Sequence, residues 1–337
     1  MSAGADPAPA DTIEAAVLER YKQRSVAAFG AEALAGLTVG VYQQSTVARD
    51  LLVETLRALG ATAVPLGRAT SFIPVDTEAH RPEDVALLAD WARDGRFDAL
   101  VSADGDADRP LVADAAGRIL RGDVLGLLVA RALGIAAIVT PVTSSAAIES
   151  CGIAKTVRRT RVGSPFVIAG MLEAAAEGAT VLGFEANGGC LLGSDVVLPT
   201  GRLDALPTRD AMLPIVCALL AARMPGGLAA AVAALGAGHA MADRLQDIPP
   251  EASGAFLRDL ATPAYADHFF TPIGVPAATD RLDGVRVQLS GDGVIHYRAS
   301  GNAPELRCYA EAATAERAEA LLRWGLASAA AVLSPTT

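Results

Sequence analysis

The chain has 337 residues, which at roughly 100–200 residues per domain excludes a single small module and predicts two or three domains. With 52% apolar and 20% charged residues, it lies outside the composition of disordered or collagen-like chains. Its 28 Lys and Arg against 38 Asp and Glu give a net charge of −10. No general basic surface therefore exists for nucleic acid or anionic lipid, and an anionic ligand would need local arginine clusters.

Residues 1–13 lack a basic n-region and an apolar h-region, so they read as a disordered lead-in and not as a secretory signal. Residues 37–42 (LTVGVY) then predict a strand, with Ser45 as N-cap of a helix whose apolar face is Val47, Leu51, Leu52, Leu56 and Leu59, ending at Gly60. With a strand over 61–66 this makes a βαβ unit. A helix over 82–93, with Pro82 in its first turn, leads to a strand over 97–103 that runs straight into DGDADRP. Ligand loops belong at such carboxyl ends of α/β strands. After a turn at 114–118 the pattern restarts: helix 123–133, strand 135–140, a short helix capped near Ser144 and stopped by Gly152, helix 165–177, and strand 180–184 leading into GFEANGG. Residues 207–242 read as mostly helical. The least charged stretch, 224–242, is broken by Pro225, several glycines and His239, so no membrane span is expected. Residues 243–281 read as a boundary, followed by strands 284–289, 294–297 and 306–310 and a helix 314–333. The expected fold is two related α/β three-layer domains, 14–116 and 117–245, followed by an α+β domain over 250–335. Cys151, Cys190, Cys217 and Cys308 form no CxxC pair, which predicts reduced thiols in a cytoplasmic protein.

Asp104, Asp106 and Asp108 alternate with small residues directly after a predicted strand. Three adjacent carboxylates repel unless a cation neutralises them, and oxygen-only ligation selects a hard ion such as Mg²⁺ or Ca²⁺. The plain alternative is an acidic turn in solvent. An EF-hand is disfavoured because Ala115 stands where a bidentate Glu is required, and an aspartyl phosphatase because the loop lacks DxDGT spacing. Arg298, Ser300, Gly301, Asn302 and Arg307 (RASGNAPELR) could hold a phosphate dianion through two guanidinium groups, a hydroxyl, an amide and backbone N–H groups, or could be a β-turn flanked by arginines. Glu185 and Asn187 in GFEANGG can accept from and donate to sugar hydroxyls, with glycines allowing close approach, although a plain turn has the same composition. The cluster Arg158, Arg159 and Arg161 reads as a solvated face, and the four histidines carry no assignment.

In order, DGDADR, GFEANGG and RASGNAPELR resemble the α-D-phosphohexomutases, the phosphomannomutase and phosphoglucomutase family. Residues 14–116, 117–245 and 250–335 resemble its second, third and fourth domains. The resemblance implies a Mg²⁺-dependent transfer in which a phosphoserine of the first domain phosphorylates a hexose phosphate and recovers a phosphoryl group after the bisphosphate reorients. It implies that Asp104, Asp106 and Asp108 hold Mg²⁺ and that Arg109 lies near the reacting phosphate. Glu185 and Asn187 would grip the sugar, while Arg298, Ser300, Gly301, Asn302 and Arg307 clasp the other phosphate. Departures from the family pattern are Ala107 in place of a glycine, Asn302 and Ala303 where Thr and Glu are common, and Ser164 where relatives carry Asp or His. No serine stands in a Ser-His-Asn-Pro-like motif. The expectation is a chain that needs a serine-bearing first domain in trans for full catalysis, the alternative being a phosphosugar-binding or regulatory module.

Overall fold

Strands buried on both faces need apolar residues at every position. β1 (Thr38–Gln44) and β3 (Ala99–Ala103) are largely apolar, with β3 buried throughout and β1 at all positions but its first, and their buried polar residues are paired: Gln44 donates to the Ala103 carbonyl and Ser102 to the Tyr42 carbonyl. The computed structural model describes residues 10–77, 80–301 and 303–333, with side chains from residue 15 onward. It divides into two units, the first comprising residues 1–139, 152–158 and 168–235 and the second 140–151, 159–167 and 236–337.

The first unit opens with α1 (Ala10–Phe29). Its first residues, 10–13, fall where a disordered lead-in is expected from sequence; residues 1–9 lie outside the described residues. α1 escapes sequence reading because its alanines and charges form no clear apolar stripe. α2 (Arg49–Ala58), β2 (Thr62–Arg68), α3 (Pro82–Ala92) and β4 (Pro110–Asp114) complete the first layer set. The sheet order is β2-β1-β3-β4, with β2 and β3 parallel to β1 and β4 antiparallel to β3. Ser45 does not cap α2. The strand before it runs on to Gln44, so Ala48 becomes the N-cap and the Ser45 hydroxyl instead accepts from the Ile73 N–H at 2.8 Å.

The second α/β layer set follows with α4 (Gly122–Leu133), β5 (Ala137–Pro141), α5 (Ala147–Ser150), β6 (Thr156–Thr160), α6 (Ser164–Ala176) and β7 (Val181–Phe184). Short strands β8 (Cys190–Leu192), β9 (Val196–Leu198), β10 (Gly201–Leu203) and β11 (Leu206–Asp210) precede α7 (Met212–Ala222) and α8 (Gly227–Ala233). The sheet order is β11-β8-β7-β5-β6. Residues 207–242 are thus not helical from their start: Asp210 ends a strand, and its Oδ1 accepts the N–H groups of Met212 and Leu213 at 2.8 and 3.3 Å, opening α7. The same carboxylate pairs with Arg24 at 3.3 Å and accepts from the Tyr21 hydroxyl, which anchors α1. Among the described residues no single helix is long and apolar enough to cross a membrane.

The second unit is dominated by an antiparallel sheet, β12-β16-β15-β14-β13, formed by β12 (His239–Leu245), β13 (Pro276–Asp280), β14 (Val285–Leu289), β15 (Val294–Ala299) and β16 (Leu306–Ala312). Helices α9 (Pro250–Leu260), α10 (Pro263–Phe270) and α11 (Ala315–Leu333) cover a core that includes Phe256, Phe270, Val287, Ile295, Tyr297 and Leu321. Two expectations are corrected here. The stretch read as a boundary contains α9, α10 and β13. Residues 239–245, read as the end of the second α/β domain, instead form an edge strand registered along its whole length on β16. β12 is mostly exposed and lacks alternating apolar residues, so the sequence carries little strand signal.

Candidate functional site

The hairpin between β3 and β4 carries the three aspartates. One carboxylate oxygen from each of Asp104, Asp106 and Asp108 lies within 4.8 Å of the others. Asp104 Oδ1 accepts the N–H groups of Asp108 and Arg109, both at 3.1 Å, which folds the loop around the buried carboxylate. Burial raises the Asp104 carboxyl to about 6; the Arg109 N–H opposes this, while the charges of Asp108 and Asp106 push the same way as burial. Asp108 Oδ1 is buried and, among the described residues, accepts no hydrogen bond; Arg109 Nε lies 3.5 Å from it. Three carboxylates converging in one loop, one with an orphaned oxygen, fit a hard divalent cation. Ala107, where the resemblance leads one to expect glycine, adopts φ +63°, the left-handed region.

GFEANGG leaves the end of β7 and doubles back to β8, with the Gly188 N–H donating to the Glu185 carbonyl at 3.0 Å. Glu185 is buried, and Asn187 Oδ1 accepts the Gly189 N–H at 3.1 Å. Glycine is required here by contact. A Cβ on Gly122, at the start of α4, would lie 2.1 Å from the Gly188 nitrogen, and one on Gly189 would lie 3.1 Å from both the Asp108 carbonyl oxygen and Arg209 Cδ. The aspartate loop and the GFEANGG loop are therefore packed together. Arg209, on β11, joins them: its Nη2 pairs with Asp108 Oδ2 and its Nη1 lies 3.8 Å from Glu185 Oε2. Sequence reading passes over Arg209 because it lies in a stretch read as helical; the only signal is Asp210 just before an apolar helix, which marks a cap and hence a preceding strand end.

The phosphate-loop residues lie in the second unit, on the β15–β16 hairpin. Register pairs Arg298 with Arg307 and Arg307 with Arg244 of β12, so three guanidinium stems rise from one face of the sheet. Arg298 Nε is held by Asp283 Oδ2 at 3.0 Å, and that oxygen also accepts the Val162 N–H at 2.9 Å, next to the Gly163–Ser164 turn that starts α6. Glu305 lies 3.4 Å from Arg244 and 3.8 Å from Arg307. The Ser300 N–H donates to the Glu305 carbonyl at 3.0 Å, so it closes the hairpin and is not available to an anion as the nest reading expects. Gly301 is exposed with open space around it, and Asn302 lies outside the described residues. Arg244 and Asp283 carry no recognisable motif and become visible only in the fold, whereas Glu305 lies within RASGNAPELR but carries no assignment from sequence. Arg159 also departs from its solvated reading: it donates to the carbonyls of Pro141, Ser144 and Ser145 and pairs with Glu149.

Comparison with known proteins gives a consistent picture. Residues 18–117 match the family model for phosphoglucomutase/phosphomannomutase alpha/beta/alpha domain II, 121–235 that for alpha/beta/alpha domain III, and 261–323 that for the C-terminal domain. The phosphomannomutase of Sinorhizobium fredii is 48% identical over 310 residues, covering 91% of this chain and 65% of that protein. The phosphomannomutase of Salmonella muenchen is 40% identical over 311 residues, covering 91% of this chain and 64% of that protein. The chain thus spans just under two thirds of the length of these relatives. In fold it is similar to a crystal structure of a phosphoglucomutase/phosphomannomutase family protein from Burkholderia thailandensis, with a TM-score of 0.71 at 18% identity over 95% of this chain and 66% of that one. It is also similar to the Aspergillus fumigatus N-acetylphosphoglucosamine mutase solved with GlcNAc-6P and magnesium, with a TM-score of 0.61 at 18% identity over 93% of this chain and 66% of that one.

Proposed function

Because this chain belongs to the phosphoglucomutase/phosphomannomutase family, we propose that it supplies the metal, sugar and phosphate sites for moving a phosphoryl group between the 1- and 6-positions of mannose or glucose. The observation that carries the reading is the packing of the three-aspartate loop against GFEANGG, which would put a cation held by the aspartates beside a sugar gripped by Glu185. Asp104, Asp106 and Asp108 would hold Mg²⁺, which when bound neutralises charge on the transferring phosphoryl group. Arg109, whose Nε lies 3.7 Å from Asp104 and 3.5 Å from Asp108, would meet the reacting phosphate from the same loop. Glu185 and Asn187 orient the sugar hydroxyls. Arg298 and Arg307, with Ser300, Gly301 and Asn302, clasp the distal phosphate, and Asp283 fixes the direction of the Arg298 fork. Phosphoryl transfer depends on positioning and charge stabilisation, which is what these groups provide. The phosphoryl donor of the family reaction is a serine of its first domain, and turnover would call for a domain carrying it together with these three. The four thiols are free, which supports a reducing, cytoplasmic location.

The test mixes this chain with a separately expressed, phosphorylated serine-bearing first domain and follows conversion of mannose 1-phosphate to mannose 6-phosphate. Mg²⁺-dependent turnover that neither component gives alone is expected, together with loss of hexose-phosphate binding in Arg298→Ala by calorimetry. No turnover with both components folded, and no binding by the chain, would overturn the proposal.

A further inference from the structure

Arg209 stands outside every motif that resembles the family, yet it touches both halves of the candidate site. Its Nη2 is paired with Oδ2 of Asp108, while Oδ1 of the same carboxylate is buried and accepts no hydrogen bond among the described residues. Its Nη1 approaches Glu185 at 3.8 Å. Its stem is accommodated by the missing side chain at Gly189, where a Cβ would lie 3.1 Å from Cδ and 3.2 Å from Cγ. The guanidinium fork is therefore guided into place by the sugar loop and spans two carboxylates with different roles.

We infer that Arg209 is a positioning residue, a built-in cation that holds Asp108 of the metal loop and Glu185 of the sugar loop in one cluster and thereby couples metal binding to sugar binding. The inference rests on the reading of residues 104–108 as a metal loop. Two effects oppose each other when a divalent ion arrives. The guanidinium orients Asp108 so that Oδ1 is presented, which favours the ion by a rotamer's worth of entropy. It also places a positive charge a few ångströms from a doubly charged ion, and that repulsion is the larger effect at any dielectric found near a protein surface. A cation held by the aspartates would compete with Arg209 for Asp108, and a fork freed from Asp108 would bear more fully on Glu185, or on a phosphosugar anion beside it. Reciprocity requires that the bound sugar phosphate change metal affinity by the same factor.

Calorimetric titration of the whole chain with Mg²⁺, with and without mannose 1-phosphate, reads both quantities without requiring turnover. Arg209→Gln is expected to bind Mg²⁺ about tenfold more tightly and to lose the dependence of sugar-phosphate affinity on Mg²⁺. Arg209→Lys, which keeps the charge but not the fork, should retain wild-type Mg²⁺ affinity while losing the coupling. Equal or weaker Mg²⁺ binding in Arg209→Gln, or wild-type coupling in that variant, overturns the inference and leaves the proposed function standing. Failure of wild type and variant alike to bind Mg²⁺ overturns the metal-loop reading, and this inference with it.

Discussion

Ala107 holds φ +63° in the middle of the metal loop, a conformation that costs a residue with a Cβ about 1–2 kcal/mol. The loop tolerates it because the turn is fixed on both sides: the Ala107 N–H donates to the Asp104 carbonyl at 3.1 Å, and the Asp104 N–H to the Arg109 carbonyl at 3.0 Å. Replacing Ala107 by glycine removes the strain but gives the unfolded chain more freedom, an opposing term of roughly 0.4–1 kcal/mol. Ala107→Gly should therefore stabilise the chain by about 0.5–1 kcal/mol in urea denaturation. A loss of stability would show that the left-handed turn is not strained by its side chain. The spacing of the aspartates is legible from sequence, and so is the oddity of Ala107, but the backbone angle that explains the oddity is not.

Strand β15 shows how an element carries two demands at once. Its residues 294–297 are buried, and Tyr297 donates its hydroxyl to the Gly325 carbonyl at 2.8 Å, tying sheet to α11; two residues after His296 the strand delivers Arg298 to the phosphate loop. His296 is 2% exposed, with Nε2 against the Asp283 carbonyl at 2.7 Å. Burial pushes its pKa from the ordinary 6.5 to about 4; the Asp283 carbonyl opposes this, while nearby Arg286 and Arg298 add to it and the Asp283 charge works against them. A depressed pKa means that the native state keeps the ring neutral while the unfolded chain takes up a proton. The stabilisation is present above pH 6.5 and is lost as pH falls from 6.5 toward 4, by about 3 kcal/mol in all. Stability measured from pH 7 to pH 4 should fall less steeply in His296→Gln than in wild type, and parallel curves would reject the assignment. At this scale the sequence shows the major strands and helices because their apolar periodicity is strong. It does not show β12, which is mostly exposed, or the start of α7, where Asp210 ends a strand and its side chain accepts the first helical N–H groups, with only Ala211 between strand and helix. His296 is likewise invisible in sequence: nothing in VIHYRA distinguishes a buried ring from a surface one until register sets His296 opposite Arg286 and Tyr309.

At the scale of the whole molecule, a net charge of −10 would act against the proposed hexose-phosphate ligand, and local arginines would have to overcome it. They are not unopposed. Arg298 is paired with Asp283, while Arg244 and Arg307 share Glu305, so three guanidinium groups face two carboxylates. Asp283 also accepts the Val162 N–H, so removing it would disturb a loop as well as a charge. Glu305 has a simpler side-chain role, since the hairpin contacts of residue 305 run through its backbone, from the Ser300 N–H and to the Ala303 carbonyl. Neutralising it removes a competing negative charge beside Arg244 and Arg307 without breaking the turn. Glu305→Gln should therefore bind mannose 1-phosphate several-fold more tightly at low salt, and its affinity should fall more steeply than wild type as salt rises, because more of the attraction is then long-range charge. Titration calorimetry from about 0.05 to 0.5 M NaCl reads both trends, the Debye length shrinking over that range from about 14 to 4 Å. If the variant binds no more tightly at low salt, Glu305 is not competing with the ligand, and the row formed by Arg244, Arg307 and Arg298 is a structural feature of the sheet and not the clasp.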